Sequence, residues 1–113
     1  MKIIKEQIEK KELETLADHF FGILVKAVVD IQKEIMVIDA ELHADQEKLL
    51  LETGSEQKNL WGINLYPDKP DDTWVEFDSM INIRPWAKNR SRGVDDPVIR
   101  EKILSIVYKL VKR

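Results

Sequence analysis

The 113-residue chain contains no cysteine, two histidines, and four residues each of glycine and proline. The absence of cysteine excludes a disulfide framework, a thiolate zinc site, an iron–sulfur cluster and a cysteine nucleophile. Because histidines are so few, oxygen atoms would have to supply most of the ligands of any metal ion. From the sequence we therefore assign no metal site and predict no cofactor.

Long apolar runs and an excess of positive charge are also absent. The longest apolar run, residues 20–25, stops at Lys26, whereas a membrane-spanning helix needs about 18 or more such residues. Charged residues occur too early in the chain for a signal peptide, so we expect a cytoplasmic protein that makes no membrane contact. The formal net charge of −3 argues against general nucleic-acid binding, because phosphate recognition needs a basic surface.

Two amphipathic helices are predicted, one near each end of the chain. In residues 10–21 the apolar side chains recur at helical spacing and form one stripe. The second helix is predicted to begin at Asp96 and Pro97, because an acidic N-cap followed by proline is typical of a helix start. Its apolar side chains then recur on one face as far as Leu110.

The middle of the chain is typical of β-strands. Residues 60–66 and 74–84 alternate apolar and polar side chains, and the turn-rich loop between them predicts an antiparallel hairpin. Residues 25–31 and 35–43 are predicted as two further strands, followed by one helical turn at residues 44–48. The apolar spacing in residues 24–51 fits a continuous helix as well, but the many Ile and Val residues favour strands.

Together these elements predict an α+β fold. Hydrophobic residues make up 43% of the sequence and charged residues 35%, so we expect one soluble globular domain over residues 1–113. We expect an antiparallel sheet of four to five strands, with the two amphipathic helices on one face and the other face polar. An open edge of such a sheet is a place where a homodimer can form.

One group of candidate site residues depends on the strand prediction for the middle of the chain. Glu41, His43 and Asp45 would then share one face, where imidazole and carboxylates can act as metal ligands or as acid and base. Same-face neighbours on a strand are about 6.6 Å apart, so only one neighbouring pair could hold an ion, together with Asp78 or Glu76. The structural alternative is a hydrated sheet face on which His43 hydrogen-bonds a carboxylate.

A second group of candidates is basic and aromatic. No acidic residue separates Arg84, Arg90 and Arg92, whose planar guanidinium groups suit phosphate or carboxylate. Trp86 adds an aromatic face on which a base or a cation can stack. The structural alternative is that Arg84 pairs with a carboxylate of its own predicted strand, while the other basic side chains are solvated.

Four segments of the sequence resemble those of a known family. They are residues 28–31 (VVDI), 41–45 (ELHAD), 60–67 (LWGINLYP) and 79–85 (SMINIRP). From about Lys26 through its last helix, the chain resembles an uncharacterised family of short prokaryotic proteins that is described as a domain of unknown function. The resemblance implies no activity that can be transferred, and it implies that the chain is a complete protein that stands alone.

Three functional hypotheses follow from these patterns. The first is a non-enzymatic binding or interaction module that recognises a small anionic ligand or an unknown protein partner. The second is a metal-assisted hydrolase or phosphotransfer enzyme that uses Glu41, His43 and Asp78. The third is a contact with single-stranded nucleic acid through residues 86–92. The candidate binding residues are Glu41, His43, Asn64, Tyr66, Asp78, Asn82, Arg84, Arg90 and Arg92.

Overall fold

The computed structural model describes residues 1–113, which form seven strands and three α-helices. In chain order these are β1 (Lys2–Ile4), β2 (Ile8–Glu9), α1 (Lys10–Ala17), β3 (Val25–Asp30), β4 (Ile35–Ile38), α2 (His43–Glu52), β5 (Leu60–Leu65), β6 (Val75–Glu76), α3 (Pro97–Leu110) and β7 (Val111–Lys112). Three short 3-10 helices lie at Gln57–Asn59, Met80–Asn82 and Pro85–Ala87. None of the helices is long and apolar enough to cross a membrane.

Five of the strands form one antiparallel sheet in the order β1-β4-β3-β5-β6. The central strand β3 pairs with β4 on one side and with β5 on the other. The remaining two strands, β2 and β7, pair in parallel and bring the start of α1 to the end of α3. These observations confirm the α+β fold with an antiparallel sheet of the predicted size.

The alternation of side chains along β3 and β5 separates the two faces of the sheet. Val29 and Ile63 belong to the main core, which α1 covers with Leu13 and α3 covers with Ile103 and Ile106. Both predicted helices therefore lie on one face, as their apolar stripes indicate. The opposite face has a smaller core, whose buried members are Val28, Val37, Leu50 and Leu60.

The strand predicted over residues 35–43 is too long, and the single helical turn predicted at residues 44–48 is part of a longer helix, α2. The strand ends at Ile38, because Asp39 adopts a left-handed backbone conformation with φ of 64°. The alternative of a continuous helix over residues 24–51 is also wrong. Two buried residues of α2, His43 and Gln46, are polar, so the helix has a weak hydrophobic periodicity. Its third buried residue is Leu50, which covers part of the face predicted to be polar.

The strand predicted over residues 74–84 is wrong beyond Glu76, where β6 ends. The chain then folds back over β5, and Ser79 packs against Gly62, which has no side chain to exclude it. The side-chain amide of Asn82 accepts a hydrogen bond from the Gly62 N–H at 2.8 Å and donates one to the Gly62 carbonyl oxygen at 2.9 Å. A side chain thus takes the place of a neighbouring strand's backbone along this part of β5.

Candidate functional site

A cavity of about 370 Å³ opens between the start of α2 and the edge of the sheet. Its floor includes Lys26, Asn64 and Glu76, which are neighbours across β3, β5 and β6. The first residues of α2 border the cavity on one side, and residues 78–81 border it on the other. The cavity therefore lies where three segments that are distant in the sequence meet.

Five of the nine candidate residues line this cavity. They are His43, Asn64, Tyr66, Asp78 and Arg92. The pairing of β5 with β6, which is the part of the predicted hairpin that forms, brings Asn64 and Tyr66 to Glu76. His43 reaches the cavity from α2, whereas Asp78 and Arg92 reach it from the segment that folds back after β6.

Arg84 makes structural contacts away from the cavity, with only 2% of its surface exposed. Its guanidinium group donates hydrogen bonds to the carbonyl oxygens of three residues, Lys58, Leu60 and Ile81. The same group lies 4.3 Å from the ring centroid of Trp61. The structural alternative, an ion pair between Arg84 and a carboxylate of its own segment, does not form either, and burial leaves Arg84 no free donor surface for a ligand.

The other candidates outside the cavity are Glu41, Asn82 and Arg90. Asn82 is buried, and its side chain is hydrogen-bonded to the backbone of Gly62. Glu41 and Arg90 are exposed in loops. His43 points inward from α2 while Asp45 is exposed, so the face predicted for Glu41, His43 and Asp45 does not form. No group of three or more histidine or carboxylate side chains is arranged so that it could hold a metal ion.

His43 is buried in the cavity wall, with 7% of its surface exposed. Its Nε2 lies 2.8 Å from the carbonyl oxygen of Ile63 and must carry the proton, which leaves a lone pair on Nδ1. Burial lowers the pKa of the imidazole below 6.5, and the positive charges of Lys26 and Arg92 lower it further. The bond to Ile63 and the carboxylate of Asp78 oppose the shift without cancelling it. At neutral pH the cavity therefore contains a neutral imidazole.

Acidification is expected to destabilise the fold through His43. Because its folded pKa lies below the unfolded value of 6.5, the unfolded chain binds more protons, and the free energy of unfolding decreases as the pH falls below 6.5. Between about pH 7.5 and about pH 5.5, we expect Tm to decrease more in the wild type than in His43→Gln. The glutamine keeps an N–H donor for Ile63 and cannot titrate. Parallel pH profiles for the two proteins would show that His43 does not act in this way.

A hydrogen-bonded cluster surrounds Glu76 on the cavity floor. Its Oε1 accepts hydrogen bonds from Asn64 Nδ2 at 2.8 Å and from the Tyr66 hydroxyl at 3.0 Å. Burial and the contact with Glu76 raise the pKa of Tyr66, so its hydroxyl remains a donor at neutral pH. Asn64 is 6% exposed, and its Oδ1 is buried without a hydrogen-bond partner. Such an unpartnered acceptor is unfavourable unless an ordered water or a bound ligand donates to it.

Lys26 and the start of α2 give one side of the cavity a positive character. The Lys26 ammonium group lies 5.1 Å from the ring centroid of Phe21 and forms no salt bridge with a carboxylate. No side chain caps α2, and its N-cap residue is Leu42. The first backbone N–H groups of the helix, those of His43 and Ala44, therefore remain available to a ligand.

The sequence pattern does not show that the two charged residues Lys26 and Glu76 share one cavity. Lys26 lies between Val25 and Ala27 and is one of the two charged residues of β3, with Asp30 at the end of the strand. Strand alternation places it on the face opposite these two neighbours, and this is the signal in the sequence that marks it. Only the register of β3 with β5 and of β5 with β6 brings Lys26 and Glu76 to the same floor.

Comparison with known proteins agrees with the resemblance seen in the sequence. No curated protein and no solved structure matches the chain. The model of one family, described as Protein of unknown function (DUF5674), matches residues 2–110. The match covers every element that forms the cavity, from β3 through the segment that precedes α3. The chain therefore belongs to the DUF5674 family of proteins of unknown function.

Proposed function

We propose that the protein is a non-enzymatic binding module whose cavity takes a small ligand with a carboxylate or phosphate group. The observation that carries this proposal is that the unpaired Lys26 and the uncapped start of α2 border the same cavity. Free N–H groups and the helix dipole favour negative charge at a helix N-terminus. An oxyanion at this point would accept hydrogen bonds from the N–H groups of His43 and Ala44 and pair with the Lys26 ammonium group.

The surrounding charges leave Lys26 as the cation that is free to pair with a ligand. Arg92 already pairs with Asp78, with 2.6 Å between Nε and Oδ1. Asp45 lies in the first turn of α2, but it is exposed and does not line the cavity. The carboxylate of Glu76 accepts hydrogen bonds on the far side of the floor. An anion therefore finds attraction near Lys26 and repulsion near Glu76, which fixes the end of the cavity that it occupies.

The dimensions of the cavity favour a small molecule. Its volume of about 370 Å³ is near the lower end of the range of roughly 300 to 1,000 Å³ that is usual for small-molecule sites. The residues named for a metal-assisted hydrolase do not converge there, because Glu41 lies outside the cavity. We therefore favour binding over metal-assisted hydrolysis as the function of this site.

The nucleic-acid hypothesis rests on a different surface. Trp86 is 68% exposed, and Lys88 and Arg90 are exposed beside it in the chain. Arg92, the third basic residue of the hypothesis, is paired with Asp78. Two unpaired basic side chains and one aromatic ring form a weaker electrostatic site than phosphate-driven binding needs. We rank this hypothesis below ligand binding in the cavity.

The replacement Lys26→Met is expected to weaken the binding of propionate or inorganic phosphate about tenfold, because it removes the charge and keeps the apolar stem. The dissociation constants would be measured from the amide signals of His43 and Ala44 in proton–nitrogen correlation spectra. Lys48→Met is the control for the loss of one positive charge, because Lys48 lies on α2, its side chain is 76% exposed, and it does not line the cavity.

The pattern of the shifts decides the outcome of this titration. Saturable shifts centred on His43 and Ala44 would support the proposal if they persist in Lys48→Met and weaken in Lys26→Met. Equal affinities of the two variants would contradict it, as would shifts that never saturate. The spectra also report whether each variant keeps the native fold, because signals remote from the substitution should not move.

A further inference from the structure

Two unpaired charges of opposite sign lie on the cavity floor. Because Asp78 and Arg92 neutralise each other, Lys26 and Glu76 remain as the free cation and the free anion. They lie on either side of Asn64 in one row across three strands. Their Cα atoms are therefore about 9.5 Å apart, which is two strand spacings. A ligand that is only an anion would satisfy one of these charges and leave the other unpaired.

Three hydrogen-bond acceptors on residues that line the cavity have no partner within the chain. Glu76 accepts both of its hydrogen bonds through Oε1, and its Oε2 has no partner within the chain. Asn64 Oδ1 is buried without a partner, and His43 presents the lone pair of Nδ1. None of these atoms can donate a hydrogen bond in its present state. A ligand that donates several hydrogen bonds would match them, and an ammonium group has three N–H donors.

The mouth of the cavity is apolar. Leu24, Leu42, Met80 and Ile81 line it beside the polar floor. Leu42 is 52% exposed and Met80 is 65% exposed, so both present apolar surface to water. A ligand with an aliphatic side chain would cover this surface while its polar groups reach the floor.

We propose that the ligand is a free α-amino acid with an aliphatic side chain, an inference that rests on the proposed function and names its ligand class. The carboxylate binds Lys26 and the N–H groups at the start of α2. The ammonium group faces Glu76 and Asn64. The aliphatic side chain lies against Leu42 and Met80. Each group of the ligand then meets a part of the cavity that is otherwise unpaired.

Three probes of similar size separate the contributions of the two charges. L-leucine carries both charges, isocaproate lacks the ammonium group, and isoamylamine lacks the carboxylate. In calorimetric titrations of the wild-type protein, we expect leucine to bind about tenfold more tightly than either of the others, because each loses charge-assisted hydrogen bonds. This comparison does not depend on the folding of any variant.

A pair of glutamate variants locates the ammonium group. Glu76→Gln keeps a carbonyl oxygen for Asn64 and Tyr66 but removes the charge. We therefore expect this variant to bind leucine no more tightly than it binds isocaproate. Glu52→Gln is the matched control, because Glu52 lies at the far end of α2 with a side chain that is 61% exposed. We expect this variant to bind leucine as the wild type does.

The outcomes for the two proposals are distinguishable. If isocaproate binds at Lys26 as tightly as leucine or more tightly, the amino-acid inference is overturned and the proposed function stands. If neither carboxylate binds, the proposed function fails and the inference fails with it. If leucine retains its full advantage in Glu76→Gln, the assignment of the ammonium group to Glu76 is overturned.

Discussion

Replacement of Gly62 by alanine is expected to destabilise the protein by about 2–3 kcal/mol, because the added methyl group overpacks a closed interface. A Cβ atom at this position would lie 2.6 Å from both Cβ and Oγ of Ser79 and 3.2 Å from Cγ1 of Ile81. Ser79 is itself buried, with 1% of its surface exposed, so it has no free space into which it can move. The segment that carries Ser79 is held to β5 by the two hydrogen bonds of Asn82. We therefore expect the whole segment to be displaced.

Gly93→Ala is a matched control for this substitution. A Cβ atom on Gly93 would lie 3.4 Å from the carbonyl oxygen of Phe77 and 3.5 Å from Oγ of Ser91, which are close to ordinary contact distances. We expect its stability to stay within about 1 kcal/mol of the wild type in denaturant unfolding. If Gly62→Ala were as stable as Gly93→Ala, residues 79–82 would not be packed against β5, and the cavity would lack the wall described above.

Arg84→Lys is expected to lower the free energy of unfolding by about 3 kcal/mol although it conserves the charge. The planar guanidinium group satisfies three carbonyl oxygens at once, and the lysine ammonium group cannot reproduce that geometry. Burial lowers the pKa of Arg84 and raises that of Glu47, whose carboxylate acts on the Arg84 charge. The lysine charge would therefore be buried with fewer hydrogen bonds, which is a strongly destabilising state.

Arg90→Lys is the control for Arg84→Lys. Arg90 is exposed, and surface substitutions of this kind usually change stability by no more than about 0.5 kcal/mol. Both variants would be compared by denaturant unfolding and by titration with propionate. We expect Arg84→Lys to lose stability without losing the propionate contact at Lys26. Equal stability of the two variants would return Arg84 to the candidate binding residues.

The elements that can be predicted from the sequence are those with a local signal. Asp96 caps α3 as predicted, with its side chain accepting a hydrogen bond from the Val98 N–H. The apolar stripe predicts α1 correctly at its start, but the helix ends at Ala17, earlier than the predicted range of residues 10–21. Phe20 and Phe21, which extend the stripe in the sequence, are exposed beyond the end of the helix.

The fold-back after β6 has no local signal. Ile81 and Ile83 alternate with polar residues as they would in a strand. The contacts that decide the conformation join Asn82 to Gly62, which is 20 positions away in the sequence. A glycine that leaves room for another segment cannot be distinguished from a glycine in a turn until both segments are placed.

The candidate site is predictable in part for a similar reason. Asn64 and Tyr66 reach the cavity because strand alternation places polar side chains on one face. Arg84 has the side-chain chemistry of a ligand contact and instead holds backbone carbonyl oxygens. A guanidinium group can bind either a ligand or backbone carbonyl oxygens, and only its burial in the folded protein shows which of the two it binds. Lys26 is missed because its role depends on strand register, which the sequence pattern does not determine.

A crystal structure of the protein soaked with propionate is the most direct test of oxyanion binding in the cavity. We expect the carboxylate to lie about 2.7–3.2 Å from the N–H nitrogens of His43 and Ala44, within reach of the Lys26 ammonium group. A carboxylate bound elsewhere on the protein, with the start of α2 unoccupied, would contradict this assignment.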